Sequence, residues 1–242
     1  EGCCISVANM EGARQIIQTA VDKFGRIDIL VNNAGIIRSK ALADMTEEEF
    51  DDVIATNLKG TFACTRQAVP YMIEQRWGRI INMASGAVRG SARGTSYSAS
   101  KGAVLSMPLS WALELAEYGI TCNVLRAGAR TRMSEPGIER AIQLALERHE
   151  QPPSASDLGR YEPETVAPLV VFLASEQAHW ISGQFLAIDG PQLAICAHTQ
   201  RGRSAIMTGG WTVEYLLENF KNTVGTPLET YGFITPDGTK TL

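Results

Sequence analysis

Strand-like and helix-like hydrophobic patterns alternate along most of the chain. Short runs of consecutive apolar or β-branched residues predict buried strands over 3–7, 27–31, 79–84, 120–125 and 185–188. Between them, apolar residues recur at three- and four-residue steps, which predicts helices over 9–24, 46–76, 95–118, 134–150 and 163–174. Strands that alternate with helices are typical of βαβ units, so we predict an α/β fold built on a doubly wound parallel sheet.

Polar residues, glycine and proline mark the ends of several predicted helices. Asn9 precedes the first helical pattern and Gly25 follows it, the residue types preferred before and after a helix. Thr46 followed by Glu49 has the spacing of a capping box. Pro163 suits the first turn of the helix predicted over 163–174.

Composition excludes several classes of protein. The 242 residues are 45% hydrophobic and 20% charged with a net charge of -4, which argues against sequence-independent nucleic-acid binding. No apolar run approaches the roughly 18 residues needed to cross a membrane. The five cysteines form no C-x-x-C pair, and the three histidines show no ligand spacing. We therefore expect a cytoplasmic protein with reduced thiols and no metal.

The character of the chain changes after residue 190. A polar, basic stretch is followed by one amphipathic helical pattern over 211–220 and then by a segment rich in Gly, Thr and Pro. We predict a catalytic domain over 1–190 and a C-terminal extension over 191–242.

The sharpest chemical feature is Tyr97 with Lys101 on one predicted helix. Residues four apart share a helix face, so the Lys101 ammonium can lie near the Tyr97 hydroxyl. A nearby cation favours phenolate, so we expect a lowered pKa for Tyr97 and a role in general acid–base catalysis. Taken alone, the spacing favours the alternative of a surface tyrosine and a solvated lysine, and the surrounding residues change that interpretation.

Two further polar residues occupy informative positions. Ser85 follows a buried strand, where active residues of open α/β sheets gather, and its hydroxyl could bind a substrate oxygen or only satisfy a turn. Asn57 interrupts a long helical pattern in which Asn is a poor helix former. It makes either a local kink or a site for a functional water.

In order and spacing, residues 3–190 resemble the short-chain dehydrogenase/reductase family. The resemblance rests on NNAG at 32–35, NLKG at 57–60, Ser85, Tyr97 with Lys101, and the ISGQ…IDG segment at 181–190. It implies a Rossmann-like fold and hydride transfer between NAD or NADP and a secondary alcohol or ketone. It also implies a tetrad: Asn57 organises a proton-relay water, Ser85 orients the reacting oxygen, Tyr97 transfers the proton, and Lys101 lowers the Tyr97 pKa and holds the nicotinamide ribose.

The cofactor contacts implied by the resemblance are less complete. They come from Ser6, Val7, Asn33, Ala34, Gly35, Tyr97, Lys101, Gly128, Arg130 and Thr131. The family's Asp–Val pair reads Ser6-Val7 here, so a carboxylate is missing, and its Pro-Gly reads Ala127-Gly128. Arg89 and Arg93 lie near the implied substrate mouth and are either solvated or attract an anionic substrate such as an acyl-CoA or acyl carrier.

Family members place a strand, a glycine-rich turn, a helix and a second strand ahead of this segment. None of these stands before Glu1 in the sequence. We therefore expect an N-terminally truncated piece of a longer enzyme, whose 242-residue form alone binds dinucleotide too weakly to measure.

Particular stretches, among them ARTRM at 129–133, resemble the (3R)-hydroxyacyl-CoA dehydrogenase branch found in multifunctional enzyme type 2. This implies a 3-hydroxyacyl or 3-oxoacyl thioester substrate, with a 3-oxoacyl-carrier-protein reductase or a steroid-like alcohol dehydrogenase as alternatives. A different class remains open: a truncated, non-catalytic fragment that acts as an interaction module. By analogy with the family, we expect a homodimer or homotetramer paired through the helices predicted over 46–76 and 95–118.

Overall fold

A five-stranded sheet forms the centre of the protein in a computed structural model, which describes residues 2–199 and 204–224. The strands lie side by side in chain order: β1 (Ile29–Asn32), β2 (Gly78–Met83), β3 (Ile120–Ala127), β4 (Phe185–Asp189) and β5 (Gln192–Cys196). The first four are parallel, and β5 pairs antiparallel with β4. The helices are α1 (Met10–Phe24), α2 (Glu47–Val53), α3 (Gly60–Gln75), α4 (Thr95–Leu115), α5 (Glu135–Glu147), α6 (Ala167–Ala174) and α7 (Val213–Thr223).

Helices cover both faces of the sheet. Neighbouring residues of a strand point to opposite faces, so Ile80 packs with Met72 of α3 while Ile81 packs with Leu173 of α6. Helices α1 and α4 also pack on the face of the sheet that carries Ile80. Because both faces are covered, consecutive residues of β2 and β3 are buried, including the polar Asn82 and Asn123, and the predicted α/β fold is confirmed.

The local signals at helix ends are confirmed. The Asn9 side chain accepts a hydrogen bond from the Gly12 N–H at 2.8 Å, and Gly25 ends α1 with a left-handed backbone, φ 76°. Thr46 and Glu49 form both bonds of the capping box, each at 3.2 Å. These ends depend on side chains within one helical turn, which is why they can be predicted from sequence.

The long helix predicted over 46–76 is continuous but not uniform. A π-helical segment, Ile54–Lys59, joins α2 to α3 and contains Asn57. The Thr61 hydroxyl donates to the Asn57 carbonyl at 2.8 Å. The predicted local distortion at Asn57 is therefore present, and π-helical turns are frequent at functional sites.

Two predicted elements are wrong. Residues 3–7 form no strand, because they make no ladder with any strand of the described sheet. Val7 instead packs on a small cluster with Ala13 and Ala63. The helix predicted from Pro163 begins as a separate turn, Pro163–Thr165, before α6. Pro168 has no N–H with which to continue a helix from that turn.

The chain divides into two compact units, residues 1–196 and residues 197–242. The first includes β5, a strand that the sequence pattern did not indicate. In the second, the predicted helix is α7, which Thr212 caps by accepting from the Tyr215 N–H at 3.2 Å. The domain boundary at residue 190 stays a prediction. In the described part of the chain, no helix combines the length and apolarity required to cross a membrane.

Candidate active site

The predicted site residues gather at one edge of the sheet. Because β1 to β4 are parallel, their carboxyl ends lie at the same edge. Gly35 follows β1, Ser85 follows β2, and Gly128 follows β3. Helix α4 begins near this edge and carries Tyr97 and Lys101 in its first two turns.

Lys101 is almost completely buried, with 5% of its surface exposed. Its Nζ donates a hydrogen bond of 2.7 Å to the Met83 carbonyl and lies 5.7 Å from the centre of the Tyr97 ring. Burial lowers the pKa of Lys101 from 10.5 to about 8, because the charged form loses its hydration. The alternative of a surface tyrosine beside a solvated lysine is therefore wrong for Lys101.

Tyr97 and Ser85 are joined side chain to side chain. Burial raises the pKa of Tyr97, while a hydrogen bond from Ser85 and the positive charge of Arg160 act in the opposite direction. The expected lowering of the Tyr97 pKa by Lys101 is thus wrong for this state of the protein, because desolvation of the phenolate dominates. Ser85 also caps the following turn, where its hydroxyl accepts from the Ala87 N–H at 3.2 Å.

Asn57 is fully buried and links three parts of the site. Its Oδ1 accepts from the Ile36 N–H at 2.8 Å, and its Nδ2 donates to the Ile36 carbonyl at 2.9 Å and to the Ser100 hydroxyl at 3.1 Å. The amide thus ties the segment after β1 to α4. Since both of its N–H bonds have protein partners and one Oδ1 lone pair accepts from Ile36, the Asn57 side chain has one oxygen lone pair left for a water.

Gly35 lies directly beside these groups. A Cβ at Gly35 would come within 3.2 Å of the Asn57 Oδ1 and 3.7 Å of the Lys101 Nζ. Glycine at this position keeps open the space next to the amine.

The other residues of the NNAG segment, at 32–34, differ in exposure and in what they contact. Asn33 and Ala34 are exposed, and the Asn33 N–H donates to the Val31 carbonyl at 3.0 Å. Support of the sheet comes from the preceding residue, Asn32, whose Nδ2 donates to the Asn82 Oδ1 at 2.9 Å. The family resemblance implies that the NNAG residues support the central strand, and Asn32 is the member of this segment that bonds to the neighbouring strand β2.

Ser6 and Val7 lie against glycines in the first turns of α1 and α3. The Ser6 carbonyl lies against Gly12, and the Val7 side chain lies against Gly60 at the start of α3. The Ser6 hydroxyl accepts from the Ala8 N–H at 3.2 Å. The close approach at Gly60 explains why no side chain fits there.

The segment after β3 contains the remaining predicted cofactor contacts. Gly128 is buried, and a Cβ there would overlap the Asp189 carboxylate. The Arg130 guanidinium pairs with Glu135 at 2.8 Å, and the backbone N–H of Arg130 donates to the Tyr161 carbonyl at 2.7 Å. Thr131 is exposed. Arg130 is therefore the least suited of these residues to bind a further group.

Sequence reasoning missed an ion pair at the same edge. Arg126 near the end of β3 pairs with Asp189 at the end of β4. Burial lowers the pKa of Arg126, and the positive charges of Arg89 and Arg160 act in the same direction. A charged residue directly after the apolar run of β3 was the available signal. Arg93, by contrast, is exposed, and its carbonyl accepts from the Lys40 N–H at 2.9 Å.

Together, these groups can exchange a proton with a substrate oxygen. Ser85 and Tyr97 offer two hydroxyl groups to one atom, and the Lys101 amine lies next to the phenol. Such a set acts on alcohols and carbonyls.

Comparison with known proteins gives matches over most of the chain. A family model described as Enoyl-(Acyl carrier protein) reductase matches residues 3–190. The 3-oxoacyl-[acyl-carrier-protein] reductase FabG of Thermotoga maritima is 42% identical over 189 residues, which cover 77% of this chain and 74% of that protein. The (2S)-[(R)-hydroxy(phenyl)methyl]succinyl-CoA dehydrogenase subunit BbsD of Thauera aromatica is 39% identical, with 78% and 74% covered. A solved short chain dehydrogenase from Mycobacterium avium superposes with a TM-score of 0.76 at 34% identity, with 94% of this chain and 75% of that chain covered.

Proposed function

Because the chain belongs to the short-chain dehydrogenase/reductase family and is a nicotinamide-dependent oxidoreductase, we propose that it interconverts the ketone and secondary alcohol of a 3-oxoacyl or 3-hydroxyacyl thioester. The name of the Thermotoga maritima relative supports a 3-oxoacyl thioester. The observation that carries the proposal is the convergence of Ser85, Tyr97 and Lys101 at the carboxyl edge of the sheet. Of the four residues in the tetrad implied by the family resemblance, these three act directly on the reacting groups.

The residues at this edge fit a nicotinamide cofactor, NAD or NADP. Gly35 leaves space beside the Lys101 amine, which has three N–H bonds and gives one to the Met83 carbonyl. Lys101 and Tyr97 would hold the ribose next to the nicotinamide, and Gly128 and Thr131 the nicotinamide end. The segment Asn33-Ala34-Gly35 would border the adenosine side, together with Ser6 and Val7. The bound cofactor supplies or accepts the hydride at the substrate carbon.

Tyr97 supplies the proton in the reductive direction. Its raised pKa keeps the phenol protonated at neutral pH, so its O–H can be transferred to the carbonyl oxygen as that oxygen gains negative charge. Ser85 donates a hydrogen bond to the same oxygen and fixes its position. The ammonium of Lys101 stabilises the phenolate that remains after the transfer.

Asn57 is a positioning residue in this scheme. Its amide holds the segment around Ile36 against Ser100 of α4, the helix that also carries Lys101. We also propose the cytoplasm as the location, which fits the free thiols of Cys3 and Cys4.

A homodimer or homotetramer that pairs through α3 and α4 is proposed as well. Leu113 on α4 supports this assembly, because 84% of its surface is exposed. Light scattering of the wild type and of Leu113→Asp tests it, and an unchanged mass in the variant would contradict pairing through this face.

The test of the catalytic assignment is Tyr97→Phe, with Tyr118→Phe as the matched control. Tyr118 lies beneath the Arg76 guanidinium, 5.9 Å from the ring centre, and takes no part in the site. Oxidation of NADH or NADPH by a 3-oxoacyl thioester is followed by absorbance. We expect Tyr97→Phe to lower turnover by at least about 100-fold with unfolding unchanged, and Tyr118→Phe to behave as wild type.

Equal turnover by the two variants would remove Tyr97 from the reaction. No turnover by the wild type with any 3-oxoacyl or 3-hydroxyacyl thioester, in either direction, would contradict the proposed function and favour the non-catalytic interaction module.

A further inference from the structure

A charged pair that the proton-transfer scheme does not use lies at the active edge of the sheet. Arg126 of β3 and Asp189 of β4 form an ion pair with side chains 29% and 16% exposed, so the pair is partly buried but reachable from solvent. The Nε of Arg126 is buried and has no hydrogen-bond partner in the described part of the chain. A buried N–H without an acceptor lowers the stability of the folded protein, so it marks a donor that is still available for a hydrogen bond.

The Arg126 guanidinium lies close to the turn that begins at Ser85. A Cβ at Gly86 would be 3.4 Å from the Arg126 Nη1, and Gly86 directly follows Ser85. The positive group therefore lies beside the residue that follows Ser85, the serine proposed to bind the substrate oxygen.

A second guanidinium belongs to a loop fixed to the same edge. The Tyr161 N–H donates to the Gly128 carbonyl at 2.9 Å, which anchors the neighbouring Arg160. The charge of Arg160 acts on both Tyr97 and Arg126, and the charge of Arg89 acts on Arg126 as well. Arg126 and Arg160 bring two positive charges to this edge against the one negative charge of Asp189, an excess of one.

We propose that the substrate carries a carboxylate on its acyl chain, a few bonds from the reacting carbonyl, and that Arg126 and Arg160 bind this carboxylate. The inference rests on the proposed function. A guanidinium offers paired N–H donors that match a carboxylate, and the bond to Asp189 holds Arg126 in one orientation before the substrate arrives. The phosphates of a thioester carrier lie many bonds from the acyl carbonyl, so they do not fit a site beside Ser85. The excess positive charge attracts the anion and is balanced by it.

The experiment compares two thioesters with the same number of acyl carbons, 3-oxoadipyl-CoA and 3-oxohexanoyl-CoA, which differ in a terminal carboxylate. We expect kcat/KM of the wild type to favour the carboxylate-bearing substrate at least about tenfold, as expected for a charged hydrogen bond. Arg160→Gln should reduce this ratio, and its exposed side chain makes misfolding a poor explanation. Asp189→Asn should increase the ratio, because it leaves the Arg126 guanidinium without its internal carboxylate.

Arg14→Gln is the control for loss of one surface charge, since Arg14 is exposed on α1 and pairs with Glu11 at 2.7 Å. It should leave both substrates unaffected. Equal kcat/KM for the two thioesters in the wild type, or a ratio that neither Arg160→Gln nor Asp189→Asn moves, overturns the carboxylate site and leaves the proposed function intact. An equal loss for both substrates in Asp189→Asn shows a purely structural pair and overturns it too. Absence of turnover with these two thioesters overturns the carboxylate site, and only absence of turnover with every 3-oxoacyl and 3-hydroxyacyl thioester contradicts the proposed function itself.

Discussion

Replacing Lys101 by methionine should stabilise the fold while it removes activity. Methionine keeps the length and the apolar stem of lysine but has no charge. Lys101 is 5% exposed, so the substitution removes an ammonium group from the protein interior and not from the surface. The expected gain follows from the pKa of Lys101.

A fall of the Lys101 pKa from 10.5 to about 8 means that burial disfavours the ammonium in the folded state by about 3 kcal/mol. The substitution also leaves the Met83 carbonyl without its donor, which costs about 1 kcal/mol. We therefore expect the free energy of unfolding to rise by about 2 kcal/mol near neutral pH.

The gain depends on pH in a defined direction. Between about pH 8 and 10.5 the folded protein has released the Lys101 proton while the unfolded chain still holds it. The free energy of unfolding of the wild type therefore rises through this window, and the term is lost again as the pH falls towards 8. Lys101→Met has no such term, so its advantage should shrink by about 2 kcal/mol between roughly pH 7 and pH 9.5.

Urea unfolding followed by tryptophan fluorescence at the two pH values measures both quantities, provided that the slope with denaturant is unchanged. Lys59→Met, at an exposed position of the π-helical segment, is the control and should change the free energy of unfolding little at either pH. A Lys101→Met protein that is no more stable than wild type at neutral pH, or whose advantage does not vary with pH, would refute the reasoning.

Two glycines and one amide give further tests by urea unfolding. Gly128→Ala should lower the free energy of unfolding by at least about 2 kcal/mol, because the methyl group would overlap the Asp189 carboxylate. Gly137→Ala, in α5 with open space around its Cβ, should raise it by about 0.5–1 kcal/mol, and the reverse order of the two would count against the packing argument. Asn57→Leu should cost about 2–4 kcal/mol and speed hydrogen exchange at the Ile36 amide, since it leaves buried groups unpaired; unchanged protection would contradict the anchoring role.

Features that depend on residues within one helical turn could be predicted from the sequence. The cap at Asn9 and the capping box of Thr46 with Glu49 are examples, because their partners are three residues away. The distortion at Asn57 could be predicted for the same reason, although its π-helical form could not. The segment over 3–7 shows the limit, since a strand forms only where a neighbour pairs with it.

Within the site, the pair of Tyr97 and Lys101 could be predicted from the sequence, whereas the pair of Arg126 and Asp189 could not. The first pair shares one helix face, so its spacing is enough to bring the side chains together. The second pair lies 63 residues apart and meets only because β3 and β4 are adjacent and in register. The direction in which the Tyr97 pKa shifts could not be predicted either, because it depends on burial by the surrounding elements.

Burial also explains the protonation states of the two side chains that act together in the proposed proton transfer, Lys101 and Tyr97. It lowers the pKa of Lys101 and raises that of Tyr97, so both side chains are pushed towards their neutral forms. At neutral pH the phenol is protonated and the ammonium is still largely charged, which is the arrangement a ketone needs for a proton donor backed by a cation. The low polarity that imposes these shifts also strengthens the action of Lys101 and Arg160 on any charge that develops at the substrate oxygen. The stability lost by burying Lys101 and the electrostatic strength of the site therefore have one physical origin. A substitution that recovers the lost stability must weaken the electrostatic action of the site on the substrate oxygen.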